Sequence, residues 1–225
     1  MSFVREVVTL VAKDLRLEWR SRTRINATLF FALLTLLLFS FAAGPAQALQ
    51  AANAPGYLWL ALLLSSVLLL GESLRIELEN DSLEALRAMA VDARALFVSK
   101  ALTNALFCFL LGVVLVPVAV GLYGAEVKLG FPRLVGVVAL GTLAIAAPGT
   151  LYATIAVQIR ARDVLLPLLL FPVLVPGLLA SVRASSLIMQ GDPMGQTGSW
   201  LLLLAVFDAL YWILCTLMYG RVIED

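Results

Sequence analysis

Apolar residues run along this chain in six long blocks separated by short polar breaks. The blocks fall at roughly Ile25–Ala43, Pro55–Gly71, Ala101–Tyr123, Phe131–Val157, Val164–Val182 and Ser199–Tyr219. A helix that crosses a bilayer needs about 20 mostly apolar residues. Each block predicts one such helix, the second being short enough to borrow a turn from its flanks. Only QIRARD separates the fourth block from the fifth, which predicts a tight helical hairpin.

Two polar segments do not follow the block pattern. Residues 3–22 have helical periodicity. At 100° per residue, Phe3, Val4, Val7, Val8, Leu10, Val11, Leu15, Leu17 and Trp19 fill one arc, and Arg5, Glu6, Lys13, Arg16 and Arg20 fill the other. That is the pattern of an amphipathic helix lying in the membrane interface. Asp14, Glu18 and Arg22 interrupt it, spaced i, i+4, i+8 and pointing into the apolar arc. They form either an acidic notch at the headgroup boundary or a place where the helix leaves lipid and meets protein. The second segment, ELENDSLEALRAMAVDARALFVSK from Glu77 to Lys100, carries two helix starts. Asp81 can cap one, with Glu84 in capping-box position, and Leu83, Leu86 and Met89 form its apolar edge. Asp92 can cap the next, which runs into the third span. A short capped helix with an apolar edge fits a groove on a partner, or folds back on the ends of its own spans.

Composition supports lipid as the main solvent. The chain has 225 residues, 62% hydrophobic and 14% charged, with a mean hydropathy of +0.99, against about 25% charged residues in soluble domains. The net charge of +1 gives no bias toward nucleic acid. Of the sixteen Lys and Arg residues, thirteen fall on one side if both termini share a side, and the loop from Gly44 to Ala54 has none. The positive-inside rule therefore puts both termini, residues 1–24 and the loop 72–100 in the cytoplasm. The run ending Ala46-Gln47-Ala48 imitates a signal peptide. It follows a long segment containing Glu6, Asp14 and Glu18, so a retained span is expected.

Little here can do covalent chemistry. There is no His, so His-based acid–base catalysis and His ligation of metal or haem by this chain are excluded. Cys108 and Cys215 both lie inside apolar blocks and read as small core residues, with no metal-binding spacing. No GxxxxGK[ST] phosphate loop occurs. The chain reads as a non-enzyme that binds no cofactor or metal itself.

Inside the blocks, Asp208 is the one clear charge, and Tyr211, Trp212 and Cys215 share its helical face. An aspartate at a span centre costs ~2.5–3.5 kcal/mol on insertion scales, so it should face protein or water. It reads as a polar point on a path or subunit interface, or as a hydrogen bond to a neighbouring helix. The fourth block is rich in Gly and Ala, which allows close helix approach, and Pro148-Gly149 should kink or break it. Pro167, Pro172 and Pro176 crowd the fifth. They are static kinks or bending points of a moving permease.

KDLRLEWRSRTRINATLFFALLTLLLFSFA, APGYLWLALLLSSVLLL and ELENDSLEAL together resemble the CcmB family, the haem exporter protein B permeases of bacterial cytochrome c maturation. ALGTLAIAAPG and IAVQIRARDVLLPLLLFPVLVP are similar to that family's fourth and fifth spans. The chain departs at Glu79-Asn80-Asp81, where the family commonly has two acids and a glycine, and at Arg160-Ala161-Arg162-Asp163. The resemblance implies a single all-α membrane domain over 1–225, a six-helix type-2 ABC export permease in the bacterial inner membrane. It implies work as a pair with two copies of a separate ATPase that binds ATP. The haem-handling membrane protein of the system, its small helper and the haem chaperone would be further partners, and haem a possible substrate. It also implies that Asp81, Ser82, Leu83, Glu84, Leu86, Arg87 and Met89 form a coupling helix that contacts the ATPase. Two other readings remain open: a related permease for a lipid, drug or glycan, and a scaffold that docks an ATPase without a pore.

Overall fold

In a computed structural model, residues 3–20, 22–79, 92–158 and 162–224 are described, and they form seven helices. These are α1 (Phe3–Arg20), α2 (Arg22–Ala42), α3 (Gln47–Glu79), α4 (Ala93–Tyr123), α5 (Phe131–Gln158), α6 (Arg162–Gln190) and α7 (Thr197–Glu224). Helices α2 to α7 each contain a stretch long and apolar enough to cross a membrane. The chain is a multi-pass membrane protein with the six-span architecture its hydropathy predicts.

Helix is the answer because lipid cannot hydrogen-bond the backbone. Each span must satisfy its own N–H and C=O groups, and only a helix does so within one segment. The helices run past the apolar blocks at several ends. α3 begins eight residues before the expected Pro55 and continues to Glu79, and α6 reaches Gln190 rather than stopping near Val182. Arg183 is therefore an exposed residue inside α6 and not part of a loop. Hydropathy marks where lipid begins. It does not mark where hydrogen bonding stops.

The helix ends are set by local chemistry. Asp92 is extended, and its side chain accepts from the Arg94 N–H at 2.9 Å, starting α4 where the sequence predicts a cap. Gly124 closes α4 in the left-handed region (φ 61°), returning its N–H to Val120. Asp192 starts α7. Its carboxylate accepts from Thr197 N–H and Gln196 N–H, both at 2.8 Å, and from Thr197 Oγ1 at 2.7 Å. These bonds, the Thr197 N–H foremost, hold its carboxyl below the usual carboxylate range.

Short connections make consecutive spans antiparallel. One end of the bundle thus gathers α1, the start of α4 and the end of α7. The connections 43–46, 124–130 and 191–196 lie at the other end.

The axis of the bundle is α5. Of its span 72% is buried, against 22% for α2 and for α7. Its Gly and Ala residues permit this. At Gly141 a Cβ would collide with the Trp59 ring of α3 and come within 2.6 Å of Ser181 Oγ of α6. At Gly149 it would lie 2.5 Å from Leu70, and a Cβ on Gly112 of α4 would lie 2.5 Å from Val138. Trp59 is locked in this contact, because its Nε1 donates to Ser185 Oγ at 2.9 Å.

Proline changes less than its frequency suggests. Pro55, Pro117, Pro148, Pro167, Pro172 and Pro176 all lie inside continuous helices. The break expected as one outcome at Pro148-Gly149 does not occur. Neighbouring helices can supply donors to a proline-weakened ladder, and Trp212 Nε1 of α7 donates to the Leu143 carbonyl at 3.2 Å, next to Ala144, whose carbonyl is the one that Pro148 leaves without its i+4 donor.

The close approach at Gly141 predicts a sharp asymmetry along one helix. Gly141→Ala should destabilise the protein by about 1–3 kcal/mol through overpacking. Gly136→Ala, where nothing lies within 4 Å of the added carbon, should be neutral or stabilising. Thermal denaturation of both variants in detergent checks the contrast.

Candidate functional site

The amphipathic helix α1 does not rest on lipid alone. Val7, Leu10 and Asp14 are buried, while Phe3, Val4 and Val8 are exposed. The apolar arc read from the sequence is thus divided between two surroundings, with Leu10 and Asp14 directed into the bundle. Leu10 belongs to a cluster with Leu96, Phe97 and Ala101 of α4, Ala147 and Leu151 of α5, and Cys215 and Tyr219 of α7. Phe97 and Tyr219 meet with ring centroids 5.0 Å apart. Four helices therefore converge at this end.

Asp14 occupies the charged centre of that contact. Its Oδ2 lies 3.5 Å from Nζ of Lys100, on α4, and its Oδ1 lies 3.3 Å from Nζ of Lys13. Asp14 is 8% exposed and Lys100 only 4%. A charge hidden to this degree is stable only when paired and hydrogen-bonded. The pair therefore fixes the register of α1 against α4. Lys100 stands two turns into α4, just after the segment 80–91. The backbone of Arg22 opens α2, and the side chains of Glu18 and Arg22 lie outside the described residues. So do Asp81, Ser82, Leu83, Glu84, Leu86, Arg87 and Met89, with the short helix expected there.

The second candidate is Asp208, midway along α7. It is 7% exposed, and both its oxygens are buried with no hydrogen-bond partner. Around it, α7 makes firm contacts. The Phe207 and Tyr211 rings pack at 4.4 Å, Trp212 bonds to α5, and Cys215 joins the Leu10 cluster. Cys215 joins the cluster that contains Leu10, and Tyr211 packs against Phe207. Among the described residues, no group of three or more His, Cys, Asp or Glu could hold a metal.

Two features escaped sequence reasoning. Lys100 read as a loop charge, yet it is the partner of Asp14. Only half of the signal was there: an acid within an apolar arc is costly unless it finds a partner. The second is Asn104, buried on α4, whose Nδ2 donates to Thr150 Oγ1 of α5 at 3.0 Å. It is one of few direct side-chain bonds between spans.

Comparison with known proteins gives one consistent result. A family model described as CcmB protein matches residues 5–224. Several proteins called heme exporter protein B are similar along most of their length. That of Paracoccus denitrificans is 32% identical over 178 residues, covering 78% of this chain and 80% of the relative. That of Pseudomonas aeruginosa is 29% identical over 192 residues, covering 85% and 86%. That of Bradyrhizobium diazoefficiens is 30% identical over 212 residues, covering 92% and 88%.

The buried pair makes a separable prediction. Asp14→Leu leaves the Lys100 ammonium without this partner and should cost at most about 3–5 kcal/mol. Asp14→Leu combined with Lys100→Met should recover much of that loss, a coupling that a double-mutant cycle of denaturation midpoints measures. Simply additive losses would mean that the two side chains do not act together.

Proposed function

The chain belongs to the CcmB family, and from that premise we propose that it is the permease subunit of an ABC system serving haem export in cytochrome c maturation. Its task is to turn the ATPase cycle of a separate subunit into movement of the spans, for haem export or for release of the haem-loaded chaperone. Two ATPase copies and a second copy of this permease complete the core. The haem-handling membrane protein, its small helper and the haem chaperone are the further partners. The assembly sits in the bacterial inner membrane with both termini in the cytoplasm, the side that the distribution of Lys and Arg favours.

One observation carries this reading. Segment 80–91 joins two very long helices, the 33-residue α3 and the 31-residue α4, and α4 is tied to α1 by Asp14–Lys100 within about three turns of that segment. A push at 80–91 would reach α4, α1, α5 and α7 together, since the Leu10 cluster joins all four. Rigid elements biased by a nucleotide-driven partner work in this way. Within the segment, Asp81, Ser82, Glu84 and Arg87 supply capping and charge, and Leu83, Leu86 and Met89 the apolar edge that enters a groove. ATP binds the partner and not this chain. Without a histidine, this chain has no imidazole to offer haem iron, and apolar contact could still hold a porphyrin as cargo handed on.

Leu83→Asp or Leu86→Asp should abolish co-purification of the ATPase subunit while the variant still inserts in the membrane. Undiminished recovery of the ATPase by mass spectrometry would overturn the coupling role. Asp208→Asn removes the charge and keeps the shape. Cytochrome c yield should fall if the carboxylate takes part in the cycle, and a wild-type yield would reduce Asp208 to packing.

A further inference from the structure

At the end of the bundle opposite α1, a cleft of about 430 Å³ opens between the start of α5, the end of α6 and the start of α7. Its walls are apolar: Leu129, Val137, Leu140, Ile188 and Leu201. Its size falls within the roughly 300–1,000 Å³ of small-molecule sites.

The walls are held in place by backbone bonds. Leu129 N–H donates to the Ile188 carbonyl at 3.1 Å, and Lys128 N–H to Met189 at 3.4 Å, so the connection 124–130 is fastened to the end of α6. The Asp192 cap fixes the start of α7. Gly136 leaves part of the α5 wall open, with nothing within 4 Å of where a Cβ would stand.

Two charged groups line the cleft, and they are not equivalent. The Asp192 oxygens are engaged by Gln196 and Thr197. Arg133 is exposed and has no ion pair among the described residues. The cleft therefore offers an apolar trough with one guanidinium available, and a guanidinium matches phosphate oxygens in a bidentate fork. Its depth in the membrane is marked by Trp200 in the first turn of α7, the kind of residue that sits at headgroup level.

We propose that this cleft is a binding site for one phospholipid, whose phosphate is held by Arg133 and one of whose acyl chains lies along the trough. The lipid would seal the α5–α6–α7 junction at the end far from segment 80–91. Any closure of the spans at that end would have to expel or compress it.

The test uses the purified full-length chain, delipidated in detergent and titrated with phosphatidylglycerol or phosphatidylethanolamine, with bound lipid counted by native mass spectrometry. One tightly retained lipid is expected. Arg133→Gln should weaken it about tenfold, the scale of one charge-assisted phosphate contact. Gly136→Phe should fill the trough and abolish retention while the melting temperature is kept. Equal retention by the parent and both variants would overturn the site. Inorganic phosphate and haemin serve as further probes. Displacement of the lipid by millimolar inorganic phosphate would reduce the site to an anion contact. Arg133-dependent binding of haemin with no phospholipid binding would assign the cleft to a porphyrin. Either result defeats the proposal.

Discussion

In hydrocarbon, no polar group can borrow a partner from the solvent. That constraint orders almost everything in this chain. It makes six helices out of six apolar blocks. It turns the buried hydroxyls back on their own helices: Thr103 to the Ser99 carbonyl, Thr150 to Ala146, Thr154 to Thr150 and Ser181 to Gly177. It gives Trp59, Trp212 and Asn104 acceptors on other helices, and lets the buried Tyr123 donate to the Leu36 carbonyl at 2.7 Å. Against that background Asp208, with two buried oxygens that lack a hydrogen-bond partner among the described residues, stands out, and Ser65 Oγ is left in the same position.

Close packing follows from the same constraint. Between membrane helices there is little hydrophobic drive to association, so contact must come from van der Waals fit and short polar bonds. Glycine at 141 and 149 brings α3 and α6 against α5 at a distance that no other residue allows without displacement. The result is a stiff centre. Bistable packed interfaces, rather than gradual bending, are how such centres move. The prolines of α6 fit that picture, lying in an uninterrupted helix and not in a hinge loop.

The number and order of the spans were legible because hydropathy is a statement about solvent, and solvent is what decides them. Their ends were not, as α3 and α6 show, since a helix continues into the headgroup region as long as its hydrogen bonds and neighbours permit. The Asp92 cap was legible because capping is local chemistry. The burial of Asp14 was half legible: its misfit within the apolar arc was plain, but its partner lies 86 residues away on α4, and no local pattern connects the two. The arrangement of α1 is tertiary information. The identity of the chain was legible through motifs spread over nearly its whole length, and the family match spans residues 5–224. The proposed contact of Ser82–Met89 with an ATPase would be made on a partner, and no reading of this chain alone contains it.

The two ends of the bundle solve the problem of charge in opposite ways, and the difference bears on mechanism. At the α1 end, the acid and the base are both supplied by the chain and both hidden, so separating them would leave a buried charge without this partner. At the other end, Asp192 is consumed by its helix cap and Arg133 is left exposed, so any counter-charge must come from outside the described protein. A lever needs one end fastened and the other able to change its surroundings. In the proposed function, a push at segment 80–91 would act on α4 and, through Asp14–Lys100, on α1 together. From there it would pass along α4 and α5, which pack against each other, toward the opposite end. There the junction of α5, α6 and α7 is the place where neighbours can be exchanged without breaking a buried ion pair.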